Sequence, residues 1–210
     1  MTGRQGAVAF TALFVWGCGV AGRPMPPGPL PPSPPNDVRQ ISTPEGLEIY
    51  GPRQHRDVDG ELIEGPVELR LMVDDGVWTG RTLARAVNGP VRLTRPIGHN
   101  AVRLIAYRGR SVSRPSAPFT LSWSAPPPAP TPIGFMDDGG RIRLMWPPLD
   151  EGVAVTVLRD GEAVAKVEPG SNAFTERAPG ARHEYQIILR GETFRSGPSA
   201  AVHLTRVITP

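Results

Sequence analysis

The sequence predicts an all-β protein whose ordered part is a tandem pair of antiparallel β-sandwich domains, and three features carry that expectation. Proline (26) and glycine (24) approach a quarter of the 210 residues, which disfavours long helices because proline breaks the helical hydrogen-bond ladder and glycine weakens it. Short apolar segments, several of them alternating, are bounded throughout by Gly, Pro, Asp and Asn, the pattern of strands joined by turns. A proline cluster, Ala125-Pro-Pro-Pro-Ala-Pro-Thr-Pro132, divides these segments into two sets. With 39% hydrophobic and 20% charged residues there is material for a core and too little charge for a disordered chain. The length suits two small domains or one large one. Basic residues (23) and acidic residues (20) nearly balance, so no phosphate-binding face stands out and nucleic acid is not expected as a partner.

The chain opens with Met1-Thr-Gly-Arg4, followed by an apolar run from Ala7 to Trp16 and then Gly17-Cys18-Gly19. A basic start and a run too short to span a bilayer fit a secretory signal. The sole cysteine lies just past that run, a poor place for a core thiol or a disulfide partner. Val15-Trp16-Gly17-Cys18 resembles the lipobox of bacterial lipoproteins, with Trp16 where a small residue is usual. The resemblance implies removal of residues 1–17 and lipidation of Cys18. Gly19 in place of an inner-membrane retention aspartate favours the outer membrane, facing the periplasm. An ordinary secretory signal with an incidental cysteine is the alternative. Residues 18–36 then form a proline-rich tether, a polyproline-type spacer of roughly 50 Å if extended at ~3.1 Å per residue. A proline-rich ligand for a small recognition domain is the other reading of that stretch.

In residues 133–210, after the linker 125–132, Arg141-Ile-Arg-Leu-Met-Trp146 alternates apolar and basic. Val153 to Leu158 reads as a strand, the Asp160-Gly161 pair as a tight hairpin turn, and Ala163 to Val167 as its return. Tyr185 to Leu189 and Ala200 to Val207 add two more strands, and Ile133 to Met136 and Asn172 to Thr175 complete seven. Seven short strands in fewer than ninety residues indicate an immunoglobulin-like sandwich.

The order of these features resembles a fibronectin type III domain of the bacterial kind. Trp146 stands at the strand B core tryptophan, Val155 to Gly161 at the C to C′ hairpin, Phe174-Thr-Glu at strand E, Pro179 to Tyr185 at the approach to strand F, and Ser196-Gly-Pro-Ser199 before strand G. The resemblance puts His183 where the family has the tyrosine that bonds back across the corner. Residues 37–124 read as a divergent copy: Gly46 to Pro52 as strand B with Tyr50 in the tryptophan's place, Pro66 to Val73 as strand C with Val67, Leu69, Leu71 and Val73 inward, and Ala101 to Tyr107 as strand F. Ser113-Arg-Pro-Ser116 and the run to Leu121 parallel Ser196 to Leu204 closely enough to be an internal repeat.

Candidate sites are few. His55, Asp57 and Asp59 fall together in one polar loop and could be offered to a hard cation, but Asp and Gly there also serve simply to turn the chain. Asp74-Asp75-Gly76 and Asp137-Asp138-Gly139-Gly140 read as hairpin turns. His99, His183 and His203 fall at strand edges with no carboxylate at a fixed offset, so a general base is unsupported. No serine elbow, phosphate loop or zinc signature is present. Neither a catalytic residue, a metal nor a cofactor is therefore expected. Trp78 and Trp123 are the side chains offered for ligand stacking, with a core or junction role as the alternative. Taken together, these features lead to the expectation of a non-enzymatic, lipid-anchored envelope protein that presents two sandwiches to a protein partner. The alternative is a cell-wall or carbohydrate-binding module, accessory to a hydrolase.

Overall fold

The computed structural model describes residues 28–74, 81–94, 101–178, 180 and 182–206. The signal segment, Cys18, Trp78 and His99 lie outside them. All secondary structure among the described residues is β, and every strand pair within the sheets is antiparallel. The first half contributes β1 (Arg39–Thr43), β2 (Gly46–Tyr50), β3 (Glu68–Val73), β4 (Thr82–Val87), β5 (Val91–Leu93), β6 (Val102–Arg108) and β7 (Ser111–Val112). The second contributes β8 (Ile133–Met136), β9 (Arg141–Met145), β10 (Ala154–Arg159), β11 (Glu162–Val167), β12 (Ala173–Arg177), β13 (Arg182–Arg190) and β14 (Val202–Thr205). One strand order occurs twice. A three-stranded sheet β1-β2-β5 goes with a four-stranded β4-β3-β6-β7, and β8-β9-β12 goes with β11-β10-β13-β14. Each pair of sheets closes on its own apolar cluster.

The second cluster follows the alternation in the sequence. Ile142, Leu144 and Trp146 face inward from β9 and its end, against Val155 and Val157 of β10 and Tyr185, Ile187 and Leu189 of β13. The β10–β11 turn has Asp160 at φ 53° and Gly161 at φ 85°, the left-handed pair that a tight hairpin requires. Tyr185, not His183, is the buried ring that bonds back: it is fully enclosed and its hydroxyl donates to Glu176 Oε1 of β12 at 2.6 Å. His183 faces the hairpin turn instead, where its Nδ1 lies 2.7 Å from Asp160 Oδ2. His183 lies on the same side of β13 as Tyr185, Ile187 and Leu189, but the buried series stops at Tyr185 and His183, near the strand's start, is only half-buried.

The first cluster departs from expectation in two places. Counted from the start of each middle strand, Leu47, Ile49 and Gly51 occupy the second, fourth and sixth positions, as Ile142, Leu144 and Trp146 do on β9. Tyr50 is therefore on the outward side, where its hydroxyl donates to Glu48 Oε2 at 2.8 Å, and does not replace the tryptophan. The space goes to Leu69, whose Cδ1 would lie 3.0 Å from a Cβ at position 51. Along β3, Val67, Leu69 and Leu71 are buried as expected, but the pairing with β4 shifts register between Leu71 and Met72, and Val73 is only half-buried.

The serine repeat is where the two halves agree most closely. Ser113 donates its amide to Ala106 O and accepts the Ala106 amide on Oγ, both at 2.9 Å. Ser116 treats Leu104 the same way at 2.9 and 3.0 Å. Ser196 pairs so with Leu189, and Ser199 with Ile187. Each hydroxyl then donates to the carbonyl of the next residue. In the first half these contacts stand in for a continuous last strand: only Ser111–Val112 and a bridge between Val102 and Phe119 are present where Ser113 to Leu121 was expected to lead into one.

Part of the proline-rich stretch lies against the first sandwich and does not act as free spacer. Pro32 and Pro35 are buried, Val58 N donates to Pro31 O at 3.1 Å, Ser33 N donates to Arg56 O at 2.7 Å, and Ser111 Oγ donates to Pro29 O at 2.8 Å. Proline lacks an N–H but keeps its carbonyl, and those carbonyls are what the sandwich uses.

Replacing Ser199 or Ser116 by Ala should strand the Ile187 or Leu104 amide and cost about 1–3 kcal/mol each, with faster hydrogen exchange at that amide. Trp146→Ala should cost about 3–5 kcal/mol by leaving a cavity, read as a lower melting temperature.

Candidate functional site

The two halves meet at Glu48. It is the third residue of β2 and points outward, away from Leu47 and Ile49, yet only 4% of it is exposed. The cover is the loop between β13 and β14. Ser42 of edge strand β1 donates its amide to Thr193 O and accepts from the Arg195 amide, both at 2.8 Å, so the loop runs parallel to β1 for one bridge. The loop can turn this tightly because a Cβ at Gly191 would collide with the ring of Phe194, which packs on the second core.

Three donors converge on the Glu48 carboxylate. Tyr50 takes Oε2, while Arg92 Nε at 3.1 Å and an Arg195 terminal nitrogen at 3.2 Å share Oε1. Burial opposes the charge, but the Tyr50 hydroxyl and the Arg195 and Arg92 guanidiniums outweigh it and hold the carboxyl below its usual value. Burial and the bond to Glu48 push the Tyr50 hydroxyl up. A cleft of about 340 Å³ opens beside them, lined by Thr43, Glu45, Leu47 and Leu93 as well as the ion-paired groups. With three donors on its two oxygens, one of them from the second half, Glu48 works as a clamp between sandwiches.

The residues singled out from the sequence do local work. Asp57 Oδ1 accepts the amides of Asp59 and Glu61 at 3.0 Å each, and Gly60 at φ 89° completes the turn. Asp137 Oδ1 caps its turn through the Arg141 amide at 2.8 Å, with Gly140 at φ 74°. Asp74 pairs with Arg103 at 2.9 Å. Burial pushes the His55 imidazole down. His183 and His203 do have carboxylate neighbours, Asp160 at 2.7 Å and Glu184 at 3.8 Å. Those partners come from across strands, which a search for fixed offsets in sequence cannot find. The Asp160 carboxyl is held down by the Glu184 amide and by His183, and the group locks the hairpin to β13. Trp123 donates its indole N–H to Thr43 O at 3.1 Å and borders a cleft with Pro44, Pro126 and Pro198.

One outward face is uncovered. On the β8-β9-β12 sheet, Ile133 is 73% exposed and Phe135 53%, with Met145 paired directly across from Ile133. Arg143 lies between Phe135 and Thr175 in register, and Arg141 is opposite Arg177.

Because the Glu48 carboxyl titrates lower in the folded state than its unfolded value of 4.5, the clamp contributes fully above that pH and is lost as pH falls through the folded value. Glu48→Gln should cost about 1.5–3 kcal/mol at neutral pH, the worth of charge-assisted hydrogen bonds. It should also flatten the decline in melting temperature below pH 4.5 that the unaltered protein shows.

No family model and no curated relative matches the sequence. Among solved structures the chain is similar to the FN1-FN3 domains of chicken CNTN1, at 14% identity over 84% of this chain and 68% of that one, with a TM-score of 0.41. It is similar to a two-domain fibronectin type III segment of chicken tenascin at 15% identity, over 81% and 98%, with a TM-score of 0.33. The BSP domain of a biofilm associated protein follows at 13% identity; the chain spans 30% of it, 82% of this chain is covered, and the TM-score is 0.32. What makes the chain an all-β tandem of fibronectin type III-like sandwiches is its own strand order, repeated in both halves with the same serine contacts.

Proposed function

We propose that this chain is a non-enzymatic envelope lipoprotein, acylated at Cys18, whose two sandwiches bind or scaffold another protein. The exposed apolar edge strand β8 carries the reading: a sheet edge with Ile133 and Phe135 in the open is a template for a polypeptide neighbour. A glycan platform would call for a row of aromatic rings, whereas the residues lining the surface beside Phe135 are Asp137, Arg141, Arg143, Ala173 and Thr175. The Glu48 clamp supports a scaffolding role, since it joins the sandwiches so that a partner meets one composite surface. The carboxylates of Asp57, Asp74 and Asp137 are engaged in turns or an ion pair.

Anchoring rests on the apolar run and the position of Cys18. A lipid and a short spacer concentrate a binder near any partner confined to the same layer, so modest affinity suffices. Because residues 29–35 lie on the first sandwich, the free spacer is shorter than the whole proline-rich stretch.

Mass spectrometry of the membrane fraction should find Cys18 diacylated or triacylated at the new N-terminus; an unmodified Cys18 or cleavage after Ala21 would refute the anchor. A chain starting at Gly28 and exported without lipid should fold normally yet fail to replace the full-length protein in the cell. Full complementation by that chain would mean the binder diffuses freely.

A further inference from the structure

The two three-stranded sheets have the same order, but their outward faces differ in cover and in charge. On β1-β2-β5 the third residue of the middle strand is Glu48, and the loop at 191–195 supplies Arg195 to it. On β8-β9-β12 the third residue of the middle strand is Arg143, paired in register with Phe135 and Thr175. Arg141 and Arg177 flank it; no outward position within these three strands is a carboxylate, and Asp137, just past β8 on the same side, has its Oδ1 on the Arg141 amide.

We infer that this second face is a docking surface for a loop or strand of a partner protein that brings a carboxylate to Arg143 beside an apolar side chain for the Ile133, Phe135 and Met145 patch. The inference rests on the protein-binding reading above and names its surface and the partner's chemistry. Two other occupants are disfavoured. A second copy would have to bring a 191–195 loop that is already seated on its own β1 and Glu48, and would set Arg195 against Arg143. The chain's own tether, residues 18–36, contains no Asp or Glu and carries Arg23. The reversal from Glu48 to Arg143 therefore works against head-to-tail stacking of copies, which an open face of the first kind would invite.

A photo-crosslinking residue placed at Phe135 of the full-length chain, in the cells that make it, tests this directly. A second at exposed Val87 of the first sandwich serves as comparison. The expected result is a Phe135 adduct to a protein segment containing Asp or Glu next to an apolar residue. Its yield should fall at least about tenfold with Arg143→Glu and survive Arg143→Lys. The melting temperature should be unchanged in both, since Arg143 is exposed. An adduct at Val87 with none at Phe135 would keep the binding reading and overturn this surface; no adduct at either position would overturn both. Capture of a second copy, of lipid, or of a segment without carboxylates, or a yield indifferent to Arg143→Glu, would likewise overturn the acidic-partner assignment.

Discussion

Each sandwich depends on a way of satisfying the backbone of its longest strand where the neighbouring segment cannot form a regular ladder. Pro115 and Pro118 in one half, and Pro198 in the other, interrupt the donors that a strand beside β6 or β13 would need. The serines solve this by using one residue for both halves of an antiparallel pair: the amide answers the partner's carbonyl and the hydroxyl answers the partner's amide. Buried amides left without acceptors are costly, so these hydroxyls keep β6 and β13 in the core, and the inward residues Leu104, Ala106, Ile187 and Leu189 stay in register with β3 and β10.

From that register the junction follows. The run from β13 into Ser196 directs the 191–195 loop outward, where it meets β1 through Ser42 and β2 through Glu48. A buried carboxylate is tolerable only with its partners in place, and here one partner comes from the other sandwich. The two halves are thus coupled electrostatically as well as through the proline linker, and the same contact hides the edge of β1 that would otherwise be open to pairing.

Much of the second sandwich was legible because its strands announce themselves by alternation and its turns by Asp-Gly: Ile133–Met136 and the Asp160-Gly161 turn stand where the sequence puts them. The first was harder for definite reasons. Strand β1, Arg-Gln-Ile-Ser-Thr, has a single large apolar residue and is held by backbone pairing and by Gln40, whose amide bridges Thr120 O and the Ser122 amide. Strand β4 is built on alanines, and β5 is three residues long. Neither offers a periodic signal of useful length. The Glu48 clamp was invisible because its donors come from positions 50, 92 and 195, and a charged residue in mid-strand ordinarily reads as solvent-facing. The serine repeat, by contrast, was visible as a repeat before its bonding was known.

The contacts that hold residues 29–33 against the first sandwich have a mechanical side. They are a single antiparallel bridge, Pro32 opposite Asp57, with the Ser111 hydroxyl bond beside it, far fewer than the bonds of the strand ladders in the core. A pull applied at the N-terminal end would meet these first and open them in turn, paying out the residues from 28 to 35, roughly 25 Å of chain at ~3.1 Å per residue, before any sheet is loaded. The sandwich pair would then respond to tension in two stages, a soft extension followed by a stiff one, and the contacts could re-form when the force is released.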